Sequence, residues 1–264
     1  MAALQQGATH LWANTILFAS HPLQTSSALT AHESHVNVVG QPPSIVENLD
    51  DKAYLNGKLN HLGTFTLPRS WLAEKSVVDD VETILQGLNL PADAFPIVGK
   101  PVRGRGSHRV QVCPDHAQLR NHLASLLNES PLAMLEEYLA GGEATLTVMP
   151  PSMERPKYWC LPPVRRFNHV DGIAPYNGTV AVAANSNVVG LDDRNPDHEH
   201  YRAIMRECEQ VARLIQTTAP IRIDVRRFRK GSRFALFDIN MKPVRFFLWV
   251  PLFTEIQYLM NDRI

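Results

Sequence analysis

Apolar positions along this chain alternate between helical and strand spacing, which predicts a mixed α/β fold. Residues 48–59 carry Leu49, Ala53, Leu55 and Leu59 on one side of a helix, with Asn48 or Asp50 as the N-cap and Gly63 as the stop. Residues 115–127 form a second amphipathic helix, with Leu119, Leu123, Leu126 and Leu127 inward and Pro114 and Asp115 at its start. Residues 199–216, carrying Ile204, Val211, Leu214 and Ile215, form the longest helix. Strand spacing predicts 12–19, 95–101, 109–112, 133–139 and 143–149, with a glycine-rich turn at 103–107. Residues 26–43, rich in His, Ser, Thr and paired prolines, read as irregular, and 150–163 and 169–178 read as loops that cover a ligand.

The last hairpin, 220–227 and 233–240, is the most informative segment. A turn centred on Gly231, a residue suited to positive φ, sets Asp224 opposite Asp238 and Arg222 opposite Asn240. Alternation then puts these four side chains on one face, with Ile221, Ile223, Val225, Phe237 and Ile239 on the core face. Directly opposed carboxylates destabilise a sheet by up to ~1 kcal/mol unless a cation compensates them. Removing one of them would relieve that repulsion. Oxygen-only donors of this kind suit Mg²⁺ or Mn²⁺ held jointly with phosphate oxygens. A simpler alternative is a pair of solvent-facing aspartates with arginines nearby, and a one-residue slip in register would dismantle the quartet.

Charge narrows the partners. Lys plus Arg and Asp plus Glu both number 26, so no global cationic field recruits nucleic acid or an anionic membrane. No apolar run approaches the ~20 residues of a membrane span, and residues 1–7 lack the features of a secretory signal. Cys113, Cys160 and Cys208 are few and scattered, which points to a reducing, cytoplasmic setting without disulfides.

Five ordered pieces carry more weight together: Phe95-Pro-Ile-Val-Gly-Lys100-Pro, Arg103-Gly-Arg-Gly-Ser107, Met134 to Glu143, Arg222-Ile-Asp224-Val, and Phe237-Asp238-Ile-Asn240. In this order they resemble the ATP-grasp superfamily, and within it the D-alanine-D-alanine ligase-like carboxylate-amine ligases, over residues 44–243. The resemblance implies two α/β subdomains sandwiching ATP, at 51–140 and 141–243, after a shortened N-terminal remnant at 1–50 and before an atypical tail at 244–264. It implies ATP phosphate contacts from Lys52 and Lys100, and a phosphate-covering loop at Gly104, Gly106 and Ser107. Adenine contacts would come from Glu136, Glu137, Tyr138 and Leu139, a ribose contact from Glu143, and metal ligation from Asp224, Asp238 and Asn240. Arg222 would stabilise the acyl phosphate and the oxyanion formed on attack. Lys100 and Arg222 are thus the catalytic candidates, and the partners are ATP, Mg²⁺ (or Mn²⁺) and small carboxylate and amine substrates such as amino acids; a homodimer is left open.

For Lys52 the plain alternative is a solvated surface lysine, for Glu137 a solvated strand end, and for Arg222 a salt bridge to Asp224 or Asp238. Three departures from the family pattern stand out. Met241-Lys-Pro243 runs into Val244-Arg-Phe-Phe-Leu-Trp-Val-Pro where relatives carry a glycine-containing acceptor segment. About 45 residues precede the match where relatives have a full domain. A further phosphate lysine is missing, with Arg165 and Arg166 in its interval. A nucleotide-binding protein with little ligase turnover is therefore the second expectation. A zinc or nucleic-acid module, drawn from His32, His35, His198, His200 and the basic run 226–230, lacks a third ligand at standard spacing.

Overall fold

The computed structural model describes residues 2–12, 17–30, 32, 34–75, 80–104, 107–174, 185–192 and 195–241. Its opening segment holds α1 (Ala2–Gln5), β1 (His10–Trp12), α2 (Pro22–Thr25), α3 (Ser27–Thr30) and β2 (Asn37–Val39), followed by α4 (Pro43–Leu49) and α5 (Lys52–Leu62). Next come β3 (Ser70–Glu74), α6 (Val81–Gly87), β4 (Ile97–Pro101), β5 (Gln111–Cys113), α7 (His116–Glu129) and β6 (Leu132–Glu137). The remainder holds β7 (Glu143–Met149), β8 (Trp159–Cys160), β9 (Val164–Arg166), β10 (Ser186–Val188), α8 (His198–Leu214), β11 (Ile221–Arg227) and β12 (Phe234–Asn240).

Two antiparallel sheets organise these elements. The first has strand order β3-β6-β4-β5, and the second β10-β9-β7-β11-β12, with β8 also on β7. One apolar cluster joins Ile97, Ala133 and Leu135 of the first sheet to Leu119, Leu123, Leu126 and Leu127 of α7. The other joins Leu146, Ile221, Ile223 and Leu236 of the second sheet to Ile204, Cys208 and Val211 of α8, and takes in Leu55 and Leu59 of α5. Each helix sits against its sheet because its apolar residues repeat at helical spacing while polar ones face water.

Several boundaries differ from the sequence expectation, for local reasons. The helix expected over 48–59 is two helices. Pro43 starts α4, Asp50 closes it, and Asp51 caps α5 by accepting the Tyr54 N–H at 3.0 Å. Gly63 ends α5 with φ 65°, as its lack of a Cβ allows. Asp115 caps α7 as expected, accepting the Gln118 N–H at 2.8 Å. The first strand starts earlier than expected, at His10, and residues 13–16 lie outside the described residues. The stretch expected to be irregular contains α3 and β2, and β2 pairs in parallel with β1. Gln41 is buried, its Nε2 donating to Ala219 O at 2.6 Å and its Oε1 accepting from Thr218 N at 3.0 Å. That amide sews the opening segment to the entry of β11.

The final hairpin contains a β-bulge. Arg222 pairs with Asn240 and Asp224 with Asp238, as the alternation predicts, but Val225 pairs with Leu236. Phe237 is the extra residue on β12. The expectation that Phe237 lies in the core is therefore corrected: Leu236 is buried in its place and Phe237 is half-buried. Gly231 takes a positive φ of 75° in the turn. Among the described residues no helix is long and apolar enough to cross a membrane, and the tail from 244 lies outside them.

Candidate functional site

The two sheets meet where Lys52 of α5 and Lys100 of β4 reach β12 of the second sheet. Lys52 is the first residue of α5, so its backbone N–H binds Val102 O and its Nζ reaches Gly104 O at 3.1 Å and Asp238 Oδ1 at 3.4 Å. It is not a solvated surface lysine. Lys100 lies in the middle of the first sheet, only 4% exposed, with Nζ 2.5 Å from Glu136 Oε2 and 3.0 Å from Phe237 O. A buried ammonium needs such partners because stripping its hydration is costly. The bulge supplies one of them, since the extra residue's carbonyl can leave the strand ladder.

The predicted quartet stands on one face of the second sheet. Asp224 accepts from Thr145 Oγ1 at 2.7 Å, and its Oδ2 lies 3.0 Å from Arg222 Nη2. Asn240 donates to Asp238 Oδ2 at 3.2 Å. Burial pushes the Asp224 carboxyl above the usual carboxylate range against the pull of Arg222, and Asp238 adds to the rise. Burial acts the same way on Asp238, but Lys52, Lys100 and Arg222 together hold it below the usual range. Burial also raises Glu136, against Lys100. Three cations, Lys52, Lys100 and Arg222, thus face three carboxylates, Glu136, Asp224 and Asp238. The uncompensated repulsion expected between the opposed aspartates is corrected accordingly: Lys52 of α5, Lys100 of β4 and Arg222 of β11 itself already balance it.

A divalent cation fits this donor set. Asp238 Oδ1 is buried and accepts no hydrogen bond. With Asp224 and Asn240 beside it, the donors are oxygens of the hard type Mg²⁺ takes, too few to hold it without phosphate or water. Among the described residues no group of three His, Cys, Asp or Glu forms a metal cage, so the histidine-based zinc expectation has no structural counterpart. The basic run at 226–230 is also not a solvated tip, because Arg226 and Arg227 belong to β11 and Arg227 is 4% exposed.

The remaining candidates separate along β6 and its exit. Glu136 faces Lys100 and accepts from Asn56 Nδ2 at 3.2 Å. Glu137, one residue on, points to the other side and pairs with Arg69 at 3.2 Å. Tyr138 donates its N–H to Pro96 O, Leu139 is buried, and Glu143 opens β7 with its carboxylate against His169. Gly104 meets Lys52, Ser107 is exposed with φ 56°, and Gly106 lies outside the described residues. Pairing of β9 with β7 puts Arg166 opposite Glu143, on the quartet's face, and Arg165 opposite buried Ala144.

Sequence reasoning missed Thr145, Arg226, His169 and Asn56. Alternation from Glu143 and Asp224 would have found Thr145 and Arg226, each two residues along the same face; nothing in the sequence marks His169 or Asn56.

No family model matches the sequence, and no curated protein matches it. Solved structures do match. D-alanyl-alanine synthetase A from Vibrio cholerae superposes with a TM-score of 0.69 at 14% identity, over 96% of this chain and 74% of that one. D-alanine–D-alanine ligase from Bacillus anthracis, complexed with ATP, gives 0.57 at 16% identity, over 85% and 66%. The biotin carboxylase domain of 2-oxoglutarate carboxylase from Hydrogenobacter thermophilus, complexed with MgADP and bicarbonate, gives 0.62 at 12%, over 92% and 50%. The chain therefore spans half to three quarters of the length of these structures, and its fold is the ATP-grasp fold they share.

Proposed function

We propose that this ATP-grasp chain is an ADP-forming carboxylate-amine ligase of the D-alanine-D-alanine ligase type, built from subdomains at 51–140 and 141–243. The observation that carries it is the convergence of Lys52 and Lys100 on the Asp224, Asp238 and Asn240 face. Both lysines are desolvated and aimed at the same place, which suits the β- and γ-phosphates of ATP. Mg²⁺, with Mn²⁺ as the alternative, would be held by Asp224, Asp238 and Asn240 and would neutralise phosphate charge.

Phosphoryl transfer demands positioning and charge compensation more than covalent help from the protein. Lys100 and Lys52 would orient the terminal phosphates, and Gly104, Gly106 and Ser107 would cover them. A substrate carboxylate attacks the γ-phosphorus, ADP leaves, and the resulting acyl phosphate is then attacked by an amine with loss of phosphate. Arg222, poised beside Asp224, would stabilise the acyl phosphate and the oxyanion of that second step. In this reading Glu136 to Leu139 would meet adenine, Glu137 through its backbone because its side chain pairs with Arg69, and Glu143 would meet the ribose. Burial of all three cysteines as free thiols fits the reducing, cytoplasmic setting, and burial pushes the Cys113 thiol up to about 11.

A second reading, ATP binding with little ligase turnover, is favoured by the Met241 to Pro251 sequence, which replaces the glycine-containing acceptor segment. Hydroxylamine trapping with a panel of amino acids and small carboxylates separates the two. Hydroxamate together with amine-dependent ADP release supports the ligase, and hydroxamate alone places the defect at the acceptor. Absence of both, and of divalent-dependent ATP binding by calorimetry, rejects both readings.

A further inference from the structure

Glu143 is 6% exposed, and everything that touches its carboxylate touches one oxygen. His169 Nε2 lies 2.8 Å from Oε2, and Arg226 Nη1 lies 3.7 Å from the same atom. A carboxylate only accepts, so the imidazole donates and its Nε2 carries the proton. Oε1 takes no hydrogen bond from any described residue.

The two partners are themselves fixed. Arg226 spends its fork on three backbone and side-chain acceptors: Nε to Gly141 O at 3.1 Å, Nη1 to Gly172 O at 2.5 Å, and Nη2 to Tyr138 Oη at 3.1 Å. Its guanidinium also lies 5.0 Å from the Tyr138 ring centroid. His169 sits on a tight turn closed by the Val170–Ile173 bridge, with Asn168, Asp171 and Gly172 at positive φ. Gly172 packs on Tyr138 so closely that a Cβ there would meet Tyr138 Oη at 2.6 Å. The turn is thereby docked on the segment joining the two sheets, and one side chain from each of two elements clamps Glu143 from the same side.

We propose that His169 and Arg226 are positioning residues that turn the second oxygen of Glu143 toward a nucleotide's sugar hydroxyls, making the docked turn a determinant of ribonucleotide preference. The proposal rests on the nucleotide reading above. One hydrogen bond from His169 and the fixed charge of Arg226, 3.7 Å away, hold Oε2 from one side and leave Oε1 oriented for a hydroxyl, with little rearrangement on binding.

The test is calorimetric binding of Mg²⁺-ATP and Mg²⁺-2′,3′-dideoxy-ATP to the full chain and to His169→Ala, His169→Gln and Arg226→Lys. The wild type is expected to prefer ATP by about tenfold or more, the worth of a hydrogen bond to a charged group. His169→Ala should reduce that preference to about threefold or less by weakening ATP alone, leaving the dideoxy analogue unchanged. His169→Gln keeps a donor within reach of Oε2 and should recover most of the preference. Arg226→Lys keeps the charge but loses the fork and should behave like the alanine variant. Equal weakening of both nucleotides in the variants, or a wild type without preference, overturns the proposal while leaving ATP binding intact. A folded wild type that binds neither nucleotide overturns the nucleotide reading and this proposal with it.

Discussion

Replacing Lys100 by Met tests whether the ion pair at the heart of the first sheet is as dry as its surroundings imply. Lys100 and Glu136 side chains are 5% and 4% exposed, and their Nζ and Oε2 atoms are 2.5 Å apart. Removing one partner of such a pair leaves a buried charge uncompensated, which costs about 3–5 kcal/mol. For a chain of this size that is a fall in Tm of about 6–20 °C, measured by circular dichroism without nucleotide at pH 7. The pH dependence has a definite sign. Burial already raises Glu136 above the ordinary 4.5, so its folded form prefers the proton relative to the unfolded chain. Stability from that preference is present below the unfolded value and is lost as pH rises through the folded one. Without Lys100 the folded value rises further, so the penalty should be largest at pH 7 and shrink toward pH 5. Adding Glu136→Gln should recover about 2 kcal/mol of the loss, because no carboxylate is then stranded. A Lys100→Met protein melting within about 2 °C of wild type at pH 7, or a loss identical at both pH values, would refute the buried pair. The variant should also weaken ATP binding in calorimetry.

Asp238→Asn should lower the Tm of the ligand-free protein, by about 1–3 kcal/mol of stability, because Lys52, Lys100 and Arg222 lose a shared counter-charge; an unchanged or higher Tm in calorimetry would restore the idea of net repulsion. The same variant should abolish divalent-dependent ATP binding. Gly141→Ala should cost about 2 kcal/mol or more, since its Cβ would meet Arg229 O at 2.8 Å and Arg227 O at 2.9 Å, and backbone cannot step aside. Gly142→Ala, which meets nothing within 4 Å, should stay within about 1 kcal/mol of wild type; equal chemical-denaturation midpoints for the two would contradict the packing. Gly99→Ala should destabilise the first sheet by about 1–3 kcal/mol, as its Cβ would meet His122 Cδ2 at 2.6 Å, and His122→Ala in the same chain should relieve it.

Much of the site was legible because a strand's face follows from parity. Arg222, Asp224, Asp238 and Asn240 share a face in a ladder centred on Gly231, and the structure keeps those pairs because the bulge restores that register beyond turn-side pairs shifted by one residue. What parity cannot reveal is the extra residue between them and the turn, so Phe237 was misassigned. Nor does sequence distance carry the contacts that complete the charge balance. Lys52 to Asp238 and Lys100 to Phe237 O span most of the chain, and neither end marks the other. Arg226 looked like part of a basic run because a charge cluster is the louder signal, although its position two residues after Asp224 already put it on the site's face. The division of the expected 48–59 helix was hidden for a different reason: its apolar spacing continues across Asp50 and Asp51, and only capping geometry shows the break.

The bulge at Phe237 makes the hairpin unusually indifferent to length at one point. Deleting a strand residue ordinarily turns everything beyond it inside out. Here Phe237 has no partner of its own, so a chain lacking it would still set Leu236 against Val225 and Asp238 against Asp224. What would vanish is the carbonyl that holds Lys100. Across variants of this sequence, a one-residue gap between Leu236 and Asp238 therefore says nothing about whether the acidic pair survives. It reports instead on how the neighbouring sheet anchors its buried ammonium.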